Sequence, residues 1–147
     1  MAELQIPSSR IQINSSSDWR SAVTASLSLL QNEGFVKPDY ISTILTSIEE
    51  GKGLYMALGD KVMLAHSRPE AGALATGLSL VVLKKAVNLG DDEKHPIQII
   101  FGLSATDNHS HQTLMAELAK VLMKPEVRES LLEAADEDEI ERILKAA

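Results

Sequence analysis

Between Trp19 and Leu30 the apolar residues fall as Trp19, Val23, Leu27 and Leu30, a spacing that predicts an amphipathic helix capped by Ser17 and ending near Gly34. A second helix is predicted from Pro38, a residue suited to a first turn, with Ile41, Ile44, Leu45 and Ile48 on one side and a stop at Gly51. The period then shortens. Leu54 to Leu58, Val62 to Ala65, Thr76 to Leu83 and Ile97 to Leu103 are short β-rich runs separated by turn residues, and the amino-terminal segment has room for one strand more. Helical spacing returns with Leu114, Leu118, Val121 and Leu122, behind a cap at Asp107 or Asn108, and two short helices follow from Pro125 and from the acidic group around Asp136.

Helices before, between and after strands too closely spaced for a helix at every crossover predict an α/β fold. The expected architecture is a three-layer sandwich, a mixed sheet of about five strands with helices on both faces. The length, 147 residues, and the lack of repeats or low-complexity linkers suit one domain over 1–147. Aromatic residues make up only 3% of the chain, so the core must be built from Leu, Ile, Val, Ala and Met.

Composition then removes whole classes of function. No run reaches the ~20 apolar residues of a membrane-spanning helix, since Thr76, Gly77 and Ser79 interrupt the longest, Ala73 to Leu83. That run reads as a buried strand. The start, Met-Ala-Glu-Leu-Gln-Ile-Pro, has neither the basic nor the apolar part of a secretion signal, which predicts a cytoplasmic protein. The chain has no cysteine, so thiolate metal sites and thiol nucleophiles are absent. A net charge of −7 disfavours nucleic acid and anionic membranes and favours a protein partner with a basic face.

Four histidines remain: His66, His95, His109 and His111. His66 stands where an apolar strand runs into a polar, proline-bearing turn, Leu64-Ala65-His66-Ser67-Arg68-Pro69-Glu70. A strand end is a common place for functional side chains. Ser67 offers a hydroxyl donor and Arg68 a two-pronged one, both suited to an oxyanion; the plain alternative is an exposed turn with an Arg68–Glu70 surface pair. His109 and His111 lie beside the expected cap of the third long helix, where free N–H groups favour an anion. Two histidines at that spacing diverge by about 200° on a helix, which works against joint metal ligation. His95, before a strand in an acidic loop, receives no role. Gly77-Leu78-Ser79-Leu80-Val81 lacks the second glycine of a nucleophile elbow and Gly51-Lys52-Gly53 lacks phosphate-loop spacing, so neither supports a hydrolase or a nucleotidase.

Met63 to Glu70, then Gly77-Leu78-Ser79-Leu80, then Ala105-Thr106-Asp107-Asn108-His109-Ser110-His111 together resemble the A-component (enzyme IIA) of the bacterial sugar phosphotransferase system. The likeness is to the mannitol/fructose class, nearest its ascorbate-type branch, and runs from about Trp19 to the carboxy terminus. It implies that His66 accepts a phosphoryl group from the phosphocarrier HPr, through Nε2, and passes it to a cysteine of the B-component (enzyme IIB). It also implies that His111, rather than His109, assists at the same site.

Many relatives have Pro before the phosphorylated histidine, where this chain has Ala65, with Ser67 after it. Backbone amides near His66, the His111 ring and Ser67 would hold the phosphoryl oxygens. Arg68 would either bind the phosphoryl group or shape the docking rim. No cofactor or metal is implied, and the membrane C-component would be reached only indirectly. A chain without cysteine or membrane helix would be a freestanding A-protein, and self-association as a homodimer stays open. The ring should lie in a shallow depression with apolar surroundings, against which partners dock transiently. Two other readings compete: a phosphorylation-dependent regulator of transcription or transport, and a metal enzyme with His66, His109 and His111 as ligands.

Overall fold

The computed structural model describes residues 5–147, so the reading of the first four residues as part of an unexported start lies outside the described residues. In chain order the elements are β1 (Ile11–Asn14), α1 (Trp19–Asn32), α2 (Pro38–Glu49), β2 (Ala57–Gly59), β3 (Val62–Ala65), β4 (Gly77–Asn88), β5 (Pro96–Ser104), α3 (Asn108–Leu122), α4 (Pro125–Glu133) and α5 (Glu137–Ala146). The five strands form one mixed sheet in the order β1-β4-β5-β3-β2. β1 runs parallel to β4 and β3 parallel to β5, whereas β4–β5 and β2–β3 are antiparallel.

The two faces follow from the period-2 alternation of the strands. Val62 and Leu64, with Leu78, Leu80 and Val82, join Leu114, Leu118, Leu131 and Ile140 from α3, α4 and α5. Met63 and Ala65, with Val81 and Leu83, join Val23, Leu27, Leu30, Ile44 and Ile48 from α1 and α2. The expected three layers are therefore present. Each fully buried aliphatic side chain in them contributes about 1.5–3 kcal/mol of transfer free energy.

Local boundaries differ from the sequence expectation where side-chain chemistry overrules pattern. The cap of α1 is Asp18, not Ser17: its carboxylate accepts the Ser21 amide at 2.8 Å. Asp107, the first of the two residues considered, caps α3 through the Ser110 amide at 2.7 Å. Leu54 to Leu58 does not form one strand, because Leu54–Met56 makes a 3-10 turn and only Ala57–Gly59 pairs with β3. β4 begins at Gly77 and extends beyond Leu83 to Asn88, since pairing with β5 resumes at Val87 and Asn88 after a register shift. Leu74 and Ala75, part of the same apolar run, instead donate their amides to the Phe35 carbonyl at 2.8 and 3.1 Å.

Parallel pairing of β3 with β5 has a functional consequence. Ala65 stands opposite Gly102, so the carboxyl ends of both strands open on the same edge of the sheet. His66 leaves one of them and α3 starts shortly after the other. Such an edge, outside the carboxyl ends of neighbouring parallel strands, is where α/β sheets present binding sites.

Candidate functional site

His66 follows the last residue of β3, and its ring is fixed by that strand: Nδ1 lies 2.8 Å from the Leu64 carbonyl oxygen. A carbonyl only accepts, so Nδ1 carries the proton and the neutral ring keeps its lone pair on Nε2. The ring is half-buried in an open cleft of about 310 Å³ lined by Tyr55, Ser67, Arg68, Pro69, Asn108 and His111. Tyr55 meets it edge-on, with ring centroids 5.8 Å apart and planes at 81°.

α3 brings the second histidine. The His111 ring lies 5.1 Å from His66, centroid to centroid, and is tilted by 54°. Burial, and secondarily the neighbouring His66, push the His111 pKa below its ordinary 6.5. Near neutral pH the His111 ring is therefore uncharged, an N–H donor beside His66 rather than a second cation. In an NMR titration the C2 proton of His111 is expected to move at a pH below 6.5. The unfolded chain would take up this proton first, so stability should erode as pH falls below 6.5 and not above it; His111→Gln should remove that component.

His109 goes elsewhere. It lines a separate cleft with Arg10, Thr76, Gly77 and Thr113, while His111 shares the cleft of His66. Among the described residues no group of three His, Asp or Glu side chains is placed to hold a metal ion, so His66, His109 and His111 do not form the ligand set of the metal reading. His95 lies at the opposite end of the sheet, before β5, with Nδ1 3.3 Å from an Asp92 carboxylate oxygen. Arg68 is exposed on the cleft margin, and among the described residues it forms no ion pair with Glu70.

Two residues around His66, Tyr55 and Tyr40, are missing from the sequence reading, and Asn108 appears there only as a possible cap and inside the third motif. Tyr55 and Asn108 line the cleft. Tyr40, in α2, is fully buried beneath it; its hydroxyl accepts the Ser67 amide at 3.0 Å and donates to the Leu103 carbonyl at 2.7 Å. The Ser67 amide is thus already engaged by the Tyr40 hydroxyl. A usable signal exists for Tyr40, one of only two tyrosines in the chain. A tyrosine one turn into an amphipathic helix buries a hydroxyl that must find a partner.

A polarised imidazole with a free nitrogen, a second neutral ring beside it and a shallow, partner-accessible cleft together suit transfer of a compact electrophile between proteins. The family described as "Phosphoenolpyruvate-dependent sugar phosphotransferase system, EIIA 2" matches residues 5–147. The chain belongs to this enzyme IIA family. Its mannitol-specific cryptic phosphotransferase enzyme IIA from Escherichia coli (strain K12) is 37% identical over 133 residues, covering 90% of this chain and 88% of that protein. The ascorbate-specific enzyme IIA of the same organism is 35% identical over 94 residues, 64% of this chain and 60% of that protein. The solution structure of the mannitol-specific cryptic enzyme IIA from Escherichia coli superposes with a TM-score of 0.87 at 33% identity, over 99% of this chain and 98% of that one. The likeness thus extends to mannitol-specific as well as ascorbate-specific enzymes IIA and does not single out the ascorbate branch. As an enzyme IIA, the chain is a component of a sugar phosphotransferase system, and among its described residues no helix is long and apolar enough to cross a membrane.

Proposed function

We propose that residues 1–147 act as one cytoplasmic phosphocarrier domain in which His66 Nε2 takes a phosphoryl group from phospho-HPr and gives it to a cysteine of an enzyme IIB. The observation that carries this reading is the Nδ1 contact to the Leu64 carbonyl, which leaves Nε2 unprotonated in the neutral ring and beside His111. On acceptance the phosphorus–nitrogen bond to HPr breaks as the bond to Nε2 forms. No base has to remove a proton, since the proton on Nδ1 stays against its carbonyl. The transition state is loose and in line, with charge on the equatorial oxygens, so the protein's task is to position and to stabilise.

His111 supplies the ring donor for those oxygens, and the arriving negative charge favours its protonated form, opposing the depression seen in the unphosphorylated site. Ser67 stands by with its hydroxyl, and the exposed Arg68 suits the docking rim. No cofactor takes part. Partners have a surface to meet: Tyr55, on the cleft, is 64% exposed, and Leu58, 53% exposed, lines a second groove with Val62, Leu64 and Met115, the last of these one turn beyond His111 in α3. Enzyme IIB contacts the membrane component for this chain, so the choice of sugar rests with that partner; mannitol and ascorbate relatives frame the range.

The deciding experiment is onward transfer. Phosphorylated protein, freed of HPr, is expected to lose its phosphoryl group to the cysteine of a cognate enzyme IIB. A phosphorylated form that no enzyme IIB discharges, and that instead alters binding to a transcription or transport protein, would replace the carrier role by the regulatory one.

A further inference from the structure

Tyr40 lies beneath the loop that follows His66, on the opposite side from the cleft, and has no place in the transfer chemistry described above. It is fully buried, and burial raises its pKa to about 12, so the phenol keeps its proton. That single proton has two carbonyls within reach, Leu103 at 2.7 Å and Ser67 at 3.3 Å, and the shorter contact decides for Leu103. The oxygen lone pair meanwhile receives the Ser67 amide at 3.0 Å. One hydroxyl therefore ties the residue after His66 to the penultimate residue of β5, from which the chain turns toward α3 and His111.

We infer that Tyr40 is a positioning residue for phosphoryl transfer, setting the His66 loop relative to the strand end that carries His111 while never touching the phosphoryl group. This inference rests on His66 being the acceptor.

The geometry gives three supports. First, among the described residues the loop's other backbone ties to α2 and its entry lie on its far side: Lys37 donates to the Gly72 carbonyl at 2.9 Å, and Val36 bridges to Ala73, both beyond the Pro69–Ala71 turn. Second, α2 and the loop approach closely, since a Cβ added at Gly72 would lie 3.2 Å from the Tyr40 backbone nitrogen. Third, the bond consumes the Ser67 amide, so that this donor is not open to a phosphoryl oxygen while His111 is. A shift of about 1 Å in a reacting group suffices for a hundredfold loss of rate.

Tyr40→Phe keeps the ring and deletes the tie. It is expected to accept phosphate from phospho-HPr with kcat lowered roughly ten- to hundredfold and KM for HPr nearly unchanged. The Ser67 amide resonance should shift and lose its protection from hydrogen exchange. A merely structural tyrosine would lower the unfolding temperature but leave kcat intact in the folded protein; that result, or a Ser67 amide unchanged by the substitution, would overturn the inference. Should Tyr40→Phe fail to fold, exchange of the Ser67 amide in the unaltered protein decides, protection supporting the tie and fast exchange rejecting it. His66→Ala run in parallel separates the two ideas, since phosphorylation of that variant would remove the acceptor assignment whatever Tyr40 does.

Discussion

His66→Ala protein, incubated with phosphoenolpyruvate, enzyme I and HPr, is expected to gain no phosphoryl group, whereas the unaltered chain gains one that survives alkali and is lost in acid, as a phosphoramidate is. The effect should be complete rather than graded, because the substitution removes the atom to which phosphorus bonds. No neighbour is equipped to replace it. Ser67 and Tyr55 carry hydroxyls that would need a base, the chain has no cysteine, and His111 lies across the cleft with its centroid 5.1 Å from where the His66 ring was. His66 is half-buried and its polar tie is one contact to a strand carbonyl, so the fold should persist and the unfolding temperature should move little. Intact mass before and after acid treatment reads the result directly. One phosphoryl group on folded His66→Ala protein would move the acceptor elsewhere and dissolve the reading of the site.

How much of this was open to inspection in the sequence depends on the range of the interaction involved. Helices α1, α2 and α3 and the strands other than the Leu54 to Leu58 run are placed by alternation that a reader of the chain can follow, because burying one face is a near-local demand on residues three and four, or two, apart. Asp18 rather than Ser17 as a cap turns on which carboxylate or hydroxyl reaches an amide three residues on, a difference of one residue that pattern does not resolve. The continuation of β4 to Asn88 is invisible locally: Lys84 and Lys85 are exposed, and the strand is sustained by its pairing with Ile97 and Pro96.

The site divides in the same way. His66 at a strand end and a histidine at a helix entrance are legible as motifs, yet their approach to 5.1 Å follows from β3 and β5 being parallel neighbours, a fact of topology. Tyr40 is separated by 27 residues from Ser67 and by 63 from Leu103, and nothing in the spacing of α2 distinguishes a tyrosine that tethers a loop from one that only fills space.

The choice between the two helix histidines is the sharpest remaining test, because they stand two residues apart and the structure sends them to different clefts. His111→Gln is expected to be phosphorylated by phospho-HPr about 100- to 1,000-fold more slowly, the usual result of losing one preorganised donor, worth ~2.7–4 kcal/mol of transition-state stabilisation. It should still reach one phosphoryl group per chain, since His66 and its Leu64 contact are untouched. Onward transfer to enzyme IIB should suffer more than acceptance, because there the His111 ring must follow charge as it leaves Nε2. His109→Gln, directed toward Arg10 and Thr76, should transfer nearly as the unaltered protein does. Single-turnover rates for both variants, measured in each direction, distinguish the roles. A crippled His109→Gln beside a normal His111→Gln would mean that the working face of α3 is the one bearing His109, and that the 5.1 Å approach of His111 to His66 serves packing alone.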